Sequence, residues 1–326
     1  MFAFPTGLVT LPSMQPDWIT AARVMLVAGK GGVGSSTVAA AVALLAARNG
    51  LDVLLVAVDG KPGLGPLLGG APLTATEQVL RRERRGGGRV RARSITPQQA
   101  FADYLDLKGF GGILRRAASA ASLDMVAAST PGMEHLLVLG KIKELDRTKA
   151  ADLIVVDAPP AGHAAPFLRS ARALQEIVAN GPVRQQADEV AEILADPTRA
   201  QALLVTLPEE TPVNELVELA GEVQHDLGLA MAPIVVNSCW ATRPALAQAA
   251  VTAARHSGVT LTAADKRALQ LTNKFGAARL AVQHEQLARL AEALPLDRLL
   301  LPRLPTPRLS PEDLEVLADA LAVAPS

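Results

Sequence analysis

The chain has 326 residues, of which 49% are hydrophobic, 20% are charged and only 3% are aromatic. Such a composition supports a large folded core and excludes wholesale disorder. The 32 Lys and Arg residues balance the 32 Asp and Glu residues, so no net charge attracts nucleic acid or anionic lipid, and the scarcity of aromatic residues argues against base-stacking domains. The single cysteine, Cys239, excludes a disulfide or a Cys-based zinc site within one chain.

The first 22 residues predict a tail rather than a targeting segment. Residues 1–20 contain no Lys or Arg and three prolines, whereas a secretory signal needs a basic start and an unbroken apolar run. No stretch of the chain reaches the roughly 18 uncharged apolar residues that a membrane-spanning helix requires. We therefore expect a cytoplasmic protein with no integral membrane segment, in which residues 1–22 form the tail and residues 23–326 form a single domain.

Apolar runs alternate with helical stretches along the rest of the chain, and several of these runs end at Asp or Pro. This alternation predicts an α/β fold with a mostly parallel sheet and helices on both faces. Residues 98–146 instead have a largely helical pattern with glycine breaks, so we expect a helical insertion over about residues 97–150. The predicted strands are 24–28, 53–58, 153–156, 202–206, 233–237 and 299–301.

A glycine-rich loop between the first predicted strand and the first long helix is the most informative segment. Backbone N–H groups at such a junction converge on one point, and the helix N-terminus adds positive potential, so the loop suits a phosphate group. It comprises Gly29, Lys30, Gly31, Gly32, Val33, Gly34, Ser35, Ser36 and Thr37.

Two nucleotide-binding patterns overlap on this loop. Gly29, Gly31 and Gly34 satisfy the dinucleotide pattern G-x-G-x-x-G, and Asp59 at the end of the next strand is a candidate ribose ligand. The phosphate-loop pattern G-x-x-x-x-G-K-[ST] is matched except that Ser35 stands where its lysine belongs. These patterns alone leave both a dinucleotide site and a nucleoside triphosphate site open.

The flanking residues favour the phosphate loop. Lys30, directly after the first glycine, has no role in a dinucleotide fold, and Ser36 and Thr37 offer hydroxyl groups where a phosphate loop binds Mg²⁺. Asp157 ends an apolar strand, as expected of an acid that faces a nucleotide–metal site.

The loop resembles the deviant phosphate loop of the ArsA/Get ATPases, which include arsenite-pump ATPases and ATPases that deliver tail-anchored membrane proteins. Further motifs occur in the family's order at 54–59, 155–163, 205–209 and 235–237. The likeness is to the single-copy, cysteine-poor bacterial branch and extends from about Arg23 to the C-terminal helix. It implies a P-loop NTPase fold, with residues 23–326 as one ATPase domain.

The resemblance implies a role for each residue that matches a family motif. Lys30 matches the signature lysine that reaches the phosphates, often across a dimer interface, and Asp59 matches the acid that orients the attacking water. Ser36 and Asp157 match the hydroxyl and the carboxylate that face Mg²⁺. The nucleotide-binding set combines the loop with two later residues: Gly29, Lys30, Gly31, Gly32, Val33, Gly34, Ser35, Ser36, Thr37, Asn237 and Pro302.

Within that set, Asn237 matches an amide that reads adenine and Pro302 matches a proline beside adenine. His163 falls in the second switch, where the family senses the nucleotide state. Asp59 is followed by Gly60-Lys61-Pro62 rather than the family's usual Pro-Ala-His, and Lys61 either supplies some of the charge that Ser35 lacks or is a solvated loop residue. One cysteine can build neither the CxxC zinc site of eukaryotic relatives nor an arsenite site of several thiols.

Two further patterns have alternative interpretations. The arginines between Arg81 and Arg93 surround three glycines and predict an exposed turn beside a basic edge strand, or else a binding site for an acidic partner. An apolar stripe predicts either core packing of an amphipathic helix or a groove for a client. The stripe consists of Leu136, Leu137, Leu139, Ile142 and Leu145.

Together these features favour a switch ATPase that binds ATP or ADP with Mg²⁺ as a dimer, in which the nucleotide state controls a helical surface for a partner or protein client. The dimer is expected to be a homodimer or a heterodimer with a paralogous ATPase. The missing loop lysine leaves open a catalytically weakened pseudo-ATPase, which would serve as a regulatory subunit of an active paralogue. A NAD-dependent oxidoreductase is the remote alternative.

Overall fold

A mostly parallel sheet forms the centre of the protein. The computed structural model describes residues 16–83, 87–107, 132–159, 163–241 and 250–323. The strands in these ranges are β1 (Val24–Gly29), β2 (Asp52–Val58), β3 (Gln78–Arg82), β4 (Arg89–Ile95), β5 (Leu153–Asp157), β6 (Ala200–Thr206), β7 (Ala230–Met231), β8 (Ile234–Cys239) and β9 (Arg298–Pro302). They follow the order β3-β4-β2-β5-β1-β6-β8-β9, with β7 beside β6, and every neighbouring pair is parallel except β3 and β4.

Helices connect the parallel strands. They are α1 (Asp17–Thr20), α2 (Ser35–Arg48), α3 (Leu64–Leu67), α4 (Pro97–Leu107), α5 (Met133–Arg147), α6 (Ala164–Ile177), α7 (Pro182–Ala195), α8 (Glu210–Gly221), α9 (Ala250–His256), α10 (Ala263–Ala293) and α11 (Pro311–Leu321). A short π-helical turn, Glu222–Asp226, extends α8. Within the described parts of the chain, every helix is too short or too polar to span a bilayer.

Side chains of the strands alternate between two hydrophobic layers. In β1, Leu26 and Ala28 pack into the layer that is covered by α5, α6, α7 and α8, whereas Met25 and Val27 pack into the layer covered by α2 and α11. The central strands are therefore buried on both faces, which explains their nearly continuous apolar sequence. The predicted α/β class, with helices on both sides of a mostly parallel sheet, is confirmed.

The apolar stripe of α5 lies inside the core. All five of its side chains are buried in the first layer, where α5 packs against α4, α6 and α7. The interpretation of the stripe as a client groove is therefore wrong, because these side chains have no access to a partner. Both described segments of the predicted insertion, α4 and α5, are helical, and residues 108–131 between them lie outside the described residues.

The arginine run lies on the edge strand β3 and on its neighbour β4, and several of its arginines pair with acids of the same chain. Arg89 pairs with Asp52 at 2.7 Å, and Arg91 contacts both Asp52, at 3.1 Å, and Glu77, at 2.5 Å. Arg81 pairs with Glu315 of α11. These contacts support the basic edge strand over a site for an acidic partner, while residues 84–86 lie outside the described residues.

The described end of the predicted tail packs against the domain. Trp18 and Ile19 of α1 are buried in the second layer, and the Trp18 carbonyl accepts a hydrogen bond from Gln201 at 2.7 Å. Burial of these two large apolar side chains is favourable enough to hold this segment against the sheet. Residues 1–15 lie outside the described residues.

Asp146 is a buried acid that ties the end of α5 to the amino ends of two strands. Its side chain is 1% exposed. Arg23, just before β1, contacts one carboxylate oxygen at 2.7 Å, and Arg199, just before β6, contacts the other at 2.6 Å. These contacts lie at the amino ends of the strands, on the side of the sheet away from the glycine loop. Their role is therefore to stabilise the fold.

Replacing Asp146 with Ala should lower the free energy of unfolding by about 2–4 kcal/mol, because charge-assisted hydrogen bonds to two arginines are lost. Urea unfolding measures this loss. Asp188→Ala is the matched control: Asp188 pairs with Arg184 at 2.8 Å on the surface, where an ion pair contributes less than about 1 kcal/mol. Equal losses in the two variants would contradict the anchoring role of Asp146.

Candidate nucleotide-binding site

The glycine loop lies at the carboxyl edge of the sheet, where β1 passes into α2. β1 is a central strand, flanked by β5 and β6. Gly34 precedes α2 with a left-handed backbone (φ 88°), and no side chain of the described residues caps the helix. The first N–H groups of this 14-residue helix therefore keep their hydrogen-bonding capacity for an anion.

Two glycines of the loop are required by close contacts. A Cβ on Gly29 would lie 2.5 Å from the Val205 carbonyl oxygen of β6. A Cβ on Gly34 would lie 2.4 Å from the side-chain nitrogen of Asn237. Both distances are too short for a real side chain, so glycine at these positions lets the loop approach β6 and β8.

Asn237 holds the loop in place. Its Nδ2 donates to the Val33 carbonyl oxygen at 2.8 Å, and its Oδ1 accepts from the backbone N–H of Ser238 at 2.8 Å. The amide predicted to read adenine thus bridges β8 and the loop in this structure, and a contact with adenine remains a prediction.

Asp157 is the most deeply buried acid of this edge. It ends β5 between Val27 of β1 and Ala57 of β2, and it is 0% exposed. Neither carboxylate oxygen has a well-aligned hydrogen-bond donor among the described residues, although the Lys61 ammonium lies 2.6 Å from Oδ1. Burial raises the pKa of Asp157, and Lys61 and the Ser36 hydroxyl oppose this rise.

These groups fit a magnesium ion that arrives with a nucleotide. Asp157 offers buried oxygens with unused acceptor capacity, and Ser36 adds a hydroxyl oxygen beside the same carboxyl group. Mg²⁺ commonly takes only one or two protein oxygens and completes its shell with phosphate oxygens and water. Among the described residues, no three His, Cys, Asp or Glu side chains cluster to hold a metal by themselves, so phosphate ligands would be essential.

Lys30 is turned toward α8. Its ammonium donates to Glu215 Oε1 at 2.9 Å, and the Lys30 side chain is 42% exposed. This hydrogen bond is the main reason that the pKa of Lys30 is raised above its usual range. The predicted contact of Lys30 with phosphates requires that this exposed ion pair opens.

Asp59 and His163 lie near a histidine that sequence reasoning missed. Asp59 follows β2 with a left-handed backbone (φ 58°) and is exposed. The His135 ring lies 6.4 Å from the His163 ring and 5.7 Å from the Phe167 ring. Burial lowers the pKa of His135, while the charge of Asp59 acts in the opposite direction. The only sequence signal for His135 is its place one turn after the Pro131-Gly132 break.

An open pocket also lies at the carboxyl edge, beyond β6 and β8. Its main aromatic wall is Trp240, with the Arg303 guanidinium 4.9 Å from the ring centre. Pro302 is paired in register with Cys239 and directly precedes Arg303. Sequence reasoning found Pro302 but missed the pocket, whose lining residues are Leu207, Pro208, Glu209, Ser238, Trp240, Arg279, Val282 and Arg303.

Comparison with known proteins agrees with the interpretation of the loop. Residues 22–180, which contain the loop, Asp59 and Asp157, match the sequence profile of the anion-transporting ATPase family. This match favours the phosphate loop over the dinucleotide pattern. The predicted family resemblance is confirmed.

Individual relatives cover part of the chain. The ATPase BagA of Mycobacterium tuberculosis is 38% identical over 229 residues, which are 68% of this chain and 66% of that protein. An arsenical pump-driving ATPase of Escherichia coli is 29% identical over 205 residues, 62% of this chain and 32% of that protein. A further arsenical pump-driving ATPase, from Acidiphilium multivorum, is 29% identical over 217 residues, with 62% and 32% coverage. The chain thus spans 66% of the mycobacterial relative's length and about a third of the other two.

Gly34→Ala should destabilise the protein more than Gly32→Ala. Both glycines have positive φ (88° and 83°), but only a Cβ on Gly34 would meet Asn237. We expect a loss of about 1–2 kcal/mol for Gly32→Ala from backbone strain, and a further loss of about 1–3 kcal/mol for Gly34→Ala from overpacking. Urea unfolding measures both losses. Adding Asn237→Ala to Gly34→Ala should recover part of the second loss, and equal losses in the two glycine variants would contradict this role of Asn237.

Proposed function

We propose that this chain is a nucleotide-driven switch that binds ATP or ADP with Mg²⁺. The basis is that residues 22–180 belong to the anion-transporting ATPase family. One observation carries the proposal: a helix N-terminus with uncapped N–H groups lies beside a buried acid whose oxygens lack well-aligned donors. The first suits phosphate oxygens and the second suits a cation. Together they match the two charges of a nucleotide–metal complex.

The loop would hold the phosphates through its backbone. The turn itself is formed by the backbone of Gly31, Gly32 and Val33. The first residues of α2, Ser35 to Thr37, add N–H and hydroxyl donors. Asn237 keeps this turn attached to β8 through the Val33 carbonyl. The preorganised donors would bind a triphosphate without first rearranging.

Ser36 and Asp157 would hold Mg²⁺. The metal would neutralise phosphate charge and make the terminal phosphorus more open to attack. Asp59, exposed at the same edge, would orient the attacking water, and its charge acts on the nearby His135. The residues of this chain would therefore contribute mainly by stabilising phosphate charge and by positioning the attacking water.

The pocket beyond β6 and β8 would take the base. Trp240 and Arg303 offer stacking surfaces, and Asn237 and Pro302 lie directly beside it in the chain. The Trp240 ring also meets Phe275 of α10, with ring centres 5.8 Å apart. A base bound in this pocket would therefore change the packing of Trp240 against α10, much of which is exposed.

The switch would act in a dimer, either with a second copy or with a paralogous ATPase. Lys30 would reach phosphates across that interface after leaving Glu215. The exposed apolar side chains of α10, Leu271 and Phe275, are candidates for contact with a protein client, in place of the buried stripe on α5.

A pseudo-ATPase is the second candidate function, and Ser35 favours it. A loop lysine normally stabilises charge on the β and γ phosphates, so its loss would slow hydrolysis more than it would weaken binding. In that case the chain would bind nucleotide and regulate an active paralogue.

Phosphate release from ATP with Mg²⁺ tests hydrolysis. We expect Asp59→Asn to bind ATP but to lower turnover by about 100-fold or more, because water orientation is lost. Asp188→Asn, on the outer surface of α7, is the matched control and should keep full turnover. If the unaltered chain binds ATP but turns over no faster than Asp59→Asn, the switch ATPase is contradicted. A gain on Ser35→Lys would then favour the pseudo-ATPase.

Analytical ultracentrifugation tests the role of Lys30 in association. We expect ATP with Mg²⁺ to increase the dimer fraction, Lys30→Met to prevent this increase, and Glu215→Gln to enhance it modestly by releasing the Lys30 ammonium. A Lys30→Met variant that dimerises like the unaltered chain would contradict a contact across the interface. With a paralogue as partner, the same measurement applies to the mixed dimer.

A further inference from the structure

Lys61 lies beside Asp157, whose carboxyl group also contacts Ser36 of the glycine loop. It follows β2 in the segment Gly60-Lys61-Pro62, and its side chain is 17% exposed. The ammonium lies 2.6 Å from Asp157 Oδ1 and donates to the Ala158 carbonyl oxygen at 2.5 Å. Lys61 is therefore held at the carboxyl edge of the sheet and is not a solvated loop residue.

The contact of Lys61 with Asp157 connects its ammonium to the part of the loop that lacks a cation. Ser35 begins α2 where a phosphate loop has its lysine, and the next residue, Ser36, contacts the carboxyl group of Asp157. One carboxyl group thus joins Lys61 and the loop hydroxyl. A positive charge therefore lies across one carboxyl group from Ser36, the residue that follows position 35.

Resting on the nucleotide binding proposed above, we propose that Lys61 is the phosphate-binding cation of this site, in place of the lysine missing at Ser35, and that Asp157 holds its ammonium there in the nucleotide-free protein. A lysine ammonium has three N–H donors. One is donated to the Ala158 carbonyl and the ammonium also faces Asp157, so at least one donor remains for a phosphate oxygen. The flexible four-carbon stem allows the ammonium to follow the phosphates while the backbone stays fixed.

A purely structural role for Lys61, as the counter-ion of buried Asp157, makes different predictions. A structural counter-ion would affect stability and would affect all adenine nucleotides alike. A phosphate-binding cation would affect nucleotides according to their number of phosphates. The comparison of ATP, ADP and AMP therefore separates the two roles.

Isothermal titration calorimetry of the full chain provides this comparison. We expect Lys61→Met to weaken ATP and ADP binding by about 10- to 150-fold, the effect of one hydrogen bond to a charged group. AMP should be affected by less than about twofold, because it lacks the outer phosphates. Adding Ser35→Lys to Lys61→Met should restore ATP affinity. Lys266→Met, on the exposed first turn of α10, is the matched control and should bind as the unaltered chain does.

Lys61→Met leaves a buried carboxylate without its counter-ion, which can unfold the protein. Asp157→Asn removes that charge, so a second comparison uses Asp157→Asn with and without Lys61→Met, in EDTA so that no metal contributes. We expect Asp157→Asn alone to bind ATP more tightly than the unaltered chain in EDTA, because the Lys61 ammonium is released. The double variant should lose at least about 10-fold of that affinity.

The outcomes separate this inference from the function on which it rests. Suppose that the unaltered chain binds ATP. If Lys61→Met then binds ATP, ADP and AMP as tightly as the unaltered chain does, or loses the same factor of affinity for all three, Lys61 is not the phosphate-binding cation. The same conclusion follows if the two Asp157→Asn variants bind ATP equally in EDTA. If the unaltered chain binds no nucleotide, the proposed function fails and this inference fails with it.

Discussion

A buried carboxylate at the end of a parallel strand needs a cation, and the arrangement of the whole candidate site follows from that need. Asp157 is 0% exposed and lies directly beside the N-terminus of α2, which favours anions. A phosphate could not approach two oxygens of an unbalanced carboxylate, because like charges repel strongly where water is excluded. A positive charge at the carboxylate removes this repulsion. Lys61 supplies it in this structure, and a metal ion that arrives with the nucleotide would supply a second.

The same edge connects the loop to distant parts of the fold. Asn237 fastens the loop to β8, and three residues further along the chain Trp240 forms the wall of the adjacent pocket. Trp240 is itself held by α10, because Gln283 accepts from its backbone N–H at 2.7 Å and Phe275 meets its ring. A change at the loop has a short packed route to α10, whose outer turns are exposed. This route is the physical basis of the proposed coupling between nucleotide state and a partner surface.

The sequence predicted the loop and the apolar strands of the sheet, because both depend on local patterns, but it gave no bounds for β3, β4 and β7. Apolar runs buried on two faces need no knowledge of distant contacts, and neither does a glycine loop between a strand and a helix. It left Lys61 between two roles and missed His135 and the pocket around Trp240 and Arg303, because these depend on which residues meet across long separations. Lys61 and Ala158 are 97 positions apart, and Lys30 and Glu215 are 185 apart. The stripe on α5 was ambiguous for the same reason: its periodicity is identical whether it faces the core or a client.

Hydrogen exchange of the loop amides shows whether a nucleotide's phosphates bind at the N-terminus of α2. Exchange in peptides that contain residues 29–37 would be compared with and without ATP and Mg²⁺, with the peptides of the β3 and β4 edge as an internal reference. Exchange should be slower in the loop peptides with ATP, less so with AMP, and unchanged in the reference peptides. Unchanged exchange in the loop at millimolar ATP, with or without a paralogous partner, would mean that phosphates do not bind there.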